Sequence, residues 1–92
     1  MPSNPSEPVF CFSVLSEAAP SSLCRVLEVF AVYGLVPSRC HSELAAGDQL
    51  AIDLQVAGVP AALAEKVARR LERVVSVSHV LFSEKQLLNA AA

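Results

Sequence analysis

The chain has 92 residues, 53% of them hydrophobic and 17% charged, with a formal net charge of −2. One domain is expected at this length, hiding only about 60–65% of its unfolded surface, so that association would stabilise it. Such a composition excludes disorder, and the mildly acidic balance excludes a nucleic-acid surface, which needs a basic face.

Residues 1–8, MPSNPSEP, read as a flexible lead. They lack the basic and apolar regions of a signal peptide. No apolar run reaches the roughly 18–20 residues that span a bilayer, so no membrane partner is expected. Cys11, Cys24 and Cys40 are odd in number and form no C-x-x-C, which argues against a disulfide framework or a structural zinc. A reducing, cytoplasmic setting follows, with Cys11 and Cys24 as small buried hydrophobes.

Val9–Leu15 is a nearly continuous apolar run, broken only by Ser13, and reads as a central strand. After the loop Ser16–Ser22, Leu23, Val26, Leu27, Phe30 and Tyr33 recur at helical spacing, flanked by Val29 and Val32. They predict a helix over Ser21–Tyr33, opened by Pro20 and closed by Gly34. Leu35–Leu44 reads as a strand whose Pro37 confines it to a sheet edge. It sets Val36, Ser38, Cys40, Ser42 and Leu44 against Pro37, Arg39, His41 and Glu43.

Ala45–Gln49 reads as a turn. Leu50, Ile52, Leu54 and Val56 then alternate with Ala51, Asp53 and Gln55, the clearest strand in the chain. Leu63, Val67, Leu71 and Val74 form the stripe of a second helix, Pro60–Val74, in which Ala64 and Ala68 permit close packing. Its cations Lys66, Arg69, Arg70 and Arg73 read as a solvated face, with an anion-docking stripe as the alternative. Val75–Phe82 is the last strand. The domain spans 9–83, and 84–92 is a tail.

The order β-α-β-β-α-β is the ferredoxin-like plan of the α+β class: a four-stranded antiparallel sheet with two helices on one face. Right-handed crossovers give strand order 4-1-3-2, which makes the two most apolar strands central and leaves the proline-bearing strand at an edge.

The segment SEAAPSSLCRVLEVFAVYGLVPSRC resembles an ACT domain, and within that family most nearly the regulatory (small) subunit of acetolactate synthase. The resemblance rests on Glu17, Pro20, Leu23, Arg25, Val26, Phe30 and Gly34, which fit E-N-x-P-G-x-L-x-R-V-x-x-x-F-x-x-R-G-[FY]-N. It continues through Gly58, Leu63, Val67, Leu71, Val77 and Val80. It implies a homodimeric regulatory module paired through its second strand and first helix, binding an amino-acid effector and controlling a larger metabolic enzyme subunit. The implied ligand residues are Ala18, Pro20, Ser21, Ser22, Leu23 and Val36. The implied interface residues are Val36, Arg39, His41 and Glu43.

Ala18, Ser21 and Val36 stand where the family has Asn, Gly and Asn. Losing two polar partners costs about 1–3 kcal/mol per unmade buried bond, so a valine-type site is expected to be absent or altered. The alternative is an interaction module without a ligand.

Catalysis is not expected, and neither cofactor nor metal is called for. No carboxylate pair, phosphate loop or nucleophile elbow stands out. Other users of this topology are also disfavoured. The loop Ser16–Ser22 carries neither the arginine of the acylphosphatases nor the C-x-x-C of heavy-metal domains, and the third strand lacks the exposed aromatics of RNA-recognition domains. His41 reads as a surface or interface residue, and His79 as structural.

Overall fold

The computed structural model describes residues 8–86 in the order β1 (Pro8–Glu17), α1 (Ser22–Val32), β2 (Arg39–Ala45), β3 (Gln49–Ala57), α2 (Ala61–Glu72) and β4 (Val77–Gln86). The sheet order is β2-β3-β1-β4, with every neighbouring pair antiparallel. This is the ferredoxin-like βαββαβ fold, with the expected strands in the centre.

The core lies between the helices and one sheet face. Phe10, Phe12 and Val14 of β1 and Ile52, Leu54 and Val56 of β3 meet Val26, Val29 and Phe30 of α1 and Ala64, Val67 and Leu71 of α2. Phe12 stands edge-on to Phe30 at 5.3 Å and tilted against Phe82 at 5.2 Å. Aromatic pairs in such geometries contribute about 0.5–1.5 kcal/mol beyond their burial. The alternating residues Cys11, Ser13 and Leu15 of β1 pair with Gln55, Asp53 and Ala51 on the face without helices, as the alternation along β3 requires.

Helix α1 ends in a Schellman motif. Leu35 N donates to Phe30 O at 2.8 Å and Gly34 N to Ala31 O at 2.9 Å, with Gly34 at φ +71°. Only a residue without a Cβ adopts that conformation cheaply. The β2–β3 turn places Gly47 and Asp48 successively at positive φ, and Asp tolerates this region better than most residues.

Several expectations are corrected. β2 begins at Arg39, so Leu35–Ser38 and Pro37 precede the strand. Ser38 N and Ser38 Oγ both donate to Gln55 O of β3, at 2.8 and 3.2 Å, and Pro37 before it has no N–H to donate, so the paired residues begin at Arg39, opposite Gln55. β2 is nonetheless the edge. β4 starts at Val77 and continues to Gln86, because Pro8–Phe10 of a longer β1 provide partners for 84–86. The rest of the expected lead and tail lies outside the described residues.

The buried side of α1 centres on Val26, Val29 and Phe30, with Leu23, Leu27 and Tyr33 half-buried and Val32 exposed. Cys24, expected inside, is exposed, because it lies across the helix from that centre. His79 is likewise exposed, opposite Leu15 on the open sheet face.

Candidate functional site

The loop between β1 and α1 is built on one carbonyl. Glu17 O accepts Ser22 Oγ at 2.6 Å, Ala19 N at 2.9 Å and Ser16 Oγ at 3.0 Å. Ser16 and Ser22 are fully buried, and a buried hydroxyl needs such a partner. Glu17 N donates to Ser76 O at 2.8 Å, and Ala18 N to Asp48 O at 3.0 Å. The loop is thereby stitched both to the entry of β4 and to the tip of the β2–β3 hairpin.

Of the ligand residues expected here, Ser22 has its hydroxyl turned inward, and the amides of Ala18, Ala19 and Ser22 already have partners. Ser21 caps α1 by position but makes no capping bond through its side chain; its Oγ receives Arg25 Nε at 3.4 Å. Ser21 and Pro20 are exposed, and Ala18 and Leu23 half-buried. What this junction still offers is the Ser21 hydroxyl, the amides of Leu23 and Cys24 and the Arg25 guanidinium. All of these suit an anion rather than an ammonium group. The bracing role of Ser16 and Ser22 escaped the sequence pattern, because an S-S pair before a helix reads equally as a cap.

Val36 lies past the other end of α1. Eleven helical residues separate it from the loop, roughly 16 Å at 1.5 Å per residue. Within one chain it does not join Ala18–Leu23.

Arg39, His41 and Glu43 project on the open sheet face, opposite Gln55, Asp53 and Ala51. His41 Nε2 lies 2.9 Å from Glu43 Oε1, between exposed side chains. Asp53 Oδ1 accepts Ser13 Oγ at 2.8 Å. Arg39, His41, Asp53, Cys11 and Lys85 line a shallow hollow of about 390 Å³ there. Across the sheet the row runs Ser13, Asp53, His41. The carboxylate separates the hydroxyl from the imidazole, so His41 is not placed as the base that activates Ser13. Among the described residues no group of three His, Cys, Asp or Glu side chains is placed to hold a metal ion. No described helix is long and apolar enough to cross a membrane.

The other flank of β2 is apolar and bare. Leu44 is 75% exposed, Cys40 is exposed on the same side of the strand, and Ser42 between them is half-buried; Val36, in the segment before the strand, is 86% exposed. Among the described residues β2 pairs only with β3, so the hydrogen-bonding groups of its outer edge meet no other described strand.

The family model described as an ACT-like domain matches residues 4–89. The chain belongs to the ACT-like domain family. Solved structures share the fold at low identity. The ACT domain from GTP pyrophosphokinase of Chlorobium tepidum has a TM-score of 0.71 at 10% identity, over 85% of this chain and 100% of that one. The C-terminal domain of the MgtC protein from Mycobacterium tuberculosis has a TM-score of 0.68 at 14% identity, over 94% and 95%. A homoserine dehydrogenase from Thiobacillus denitrificans has a TM-score of 0.67 at 12% identity, over 95% of this chain and 20% of that one. No curated protein matches the sequence. The ACT-like domain seen here is a small module of regulatory type, with a braced loop at one end of α1 and an unpartnered strand edge near the other.

Proposed function

We propose that this ACT-like domain works as a cytoplasmic homodimer, formed by pairing β2 with β2 of a second copy, and that the dimer regulates a larger metabolic enzyme subunit. The observation that carries this reading is the bare edge of β2, flanked by the exposed apolar residues Val36 and Leu44. Pairing across a two-fold axis joins two four-stranded sheets and covers those side chains. It also places Arg39, His41 and Glu43 beside their symmetry mates. An acetolactate-synthase-like role in amino-acid biosynthesis is one form of this proposal, supported by the motif at Glu17–Gly34.

Size-exclusion chromatography with light scattering, with and without pooled amino acids, tests it. A dimer is expected, and Val36→Glu with Leu44→Glu should convert it to a folded monomer. A strictly monomeric wild-type chain at high micromolar concentration overturns the reading.

The amino-acid effector is the finer part of the proposal. It would sit at Ala18, Pro20, Ser21 and Leu23 of one copy, closed by Val36 of the second. The inward-turned Ser22 hydroxyl and the satisfied loop amides favour the alternative, a dimer without a ligand. Amide chemical shifts over 17–23 that stay unchanged across an amino-acid panel would select that alternative. A shift confined to those residues would select the sensor.

A further inference from the structure

Five of the chain's seven Lys and Arg side chains stand on the helical layer: Arg25 on α1, and Lys66, Arg69, Arg70 and Arg73 along the end of α2. All five are exposed. The ordinary account of such a run is a solvated face whose last turn complements the negative end of the helix dipole. It covers Arg69 and Arg70, which lie in the last turn of α2. It does not cover Arg25, near the start of α1, where a cation gains nothing from the dipole and the first turn holds no acidic residue; Glu28 is the carboxylate three residues on.

β1 and β3 are antiparallel, so the helices that follow them run oppositely and α1 begins beside the end of α2. Arg25 there joins Arg70 and Arg73 around a groove of about 320 Å³. Val29, Val32, Val74 and Val75 form its apolar wall, and Glu28 is the one acid on its lining. Val32 is 66% exposed and Val75 95%. A second hollow of about 220 Å³ shares Arg70 and Arg73 and adds Tyr33, Lys66 and Arg69. Among the described residues the only ion pair in this cluster is Arg69 Nη2 with Glu65 Oε1, at 3.9 Å between exposed groups. Such a pair contributes little. Among the described residues Arg25, Arg70 and Arg73 therefore border exposed valines with no carboxylate at ion-pair distance.

We propose that the groove between α1 and α2 docks an acidic amphipathic helix of a partner protein. The valine wall suits apolar anchors at i, i+3 and i+4. Arg25, Arg70 and Arg73 suit carboxylates on the flanks of that helix, which a guanidinium can hold by two parallel hydrogen bonds. Opposite charge also steers the encounter. A polyphosphate or nucleic acid would use the cations but leave Val32 and Val75 in water. The groove lies on the helical layer, and its use does not depend on pairing through β2.

The test selects displayed random peptides of about four helical turns, roughly 15 residues, on the full chain. Arg70→Glu/Arg73→Glu provides the counter-selection. Val75→Glu disturbs the apolar wall with the cations intact, and all three positions are exposed, so both variants should melt like the wild type. Enriched peptides should carry Asp and Glu around an apolar i, i+3, i+4 stripe. A selected peptide, used alone, should shift the amides of Val32, Arg70, Arg73 and Val75 and bind each variant at least about tenfold more weakly. Its affinity should fall severalfold between about 0.1 and 0.5 M salt. It should bind the Val36→Glu/Leu44→Glu variant unchanged, which separates this proposal from dimerisation. Failure to enrich, enrichment of basic or unpatterned peptides, equal binding to either groove variant, or tighter binding of tripolyphosphate or duplex DNA would overturn it.

Discussion

β1 and β2 belong to one sheet and live in different surroundings. β1 has a strand on each side and a helix layer on one face, so Phe10, Phe12, Val14 and Ser16 are buried. β2 has one neighbour, and only Ser42 among its residues is even half-buried. Removing apolar area from water is the main favourable term in folding, so stability is expected to concentrate at β1 rather than at β2. The exposed chemistry of the edge strand can serve association.

Substitutions ordered by their expected cost sharpen this contrast. Phe12→Ala removes a ring packed against Phe30 and Phe82 and should cost about 3–5 kcal/mol in urea denaturation. A cost near 1 kcal/mol would mean that the centre of the sheet is not where stability resides. Ser22→Ala removes the 2.6 Å bond to Glu17 O while Ala19 N and Ser16 Oγ remain on that carbonyl. About 1–2 kcal/mol should be lost, with faster amide exchange over 17–22.

Gly34→Ala meets nothing within 4 Å but keeps φ at +71°. Only the left-handed backbone is penalised, so about 1 kcal/mol of destabilisation should appear in thermal melts. At the edge, Leu44→Glu should change the stability of the monomer by no more than about 0.5 kcal/mol while reducing self-association in light scattering. A large loss of monomer stability there would erase the distinction between centre and edge.

The two halves of the candidate ligand site were unequally legible. Pro20, Leu23, Arg25 and Gly34 mark a loop, a helix start and a helix stop, because each acts through its own backbone or its own helical face. The inward rotation of Ser22 was not legible. It depends on where Glu17 O points, and this in turn depends on the pairing of Glu17 N with Ser76 O. Nor could spacing alone show that Val36 and the loop lie at opposite ends of α1 and require two copies to meet. The basic run on α2 was visible in the sequence, but its meeting with Arg25 was not.

What the amino-acid order determined by itself is the plan: strict alternation along Leu50–Val56, helical stripes at Leu23–Tyr33 and Leu63–Val74, and Gly34 as a stop. These signals are local, set by the periods of strand and helix. The tertiary structure decided where pairing begins and ends, which serines face inward, and which cations share a groove. Each of these depends on a partner distant in sequence: β3 for the start of β2, a longer β1 for the end of β4, and the antiparallel approach of two helices for Arg25, Arg70 and Arg73.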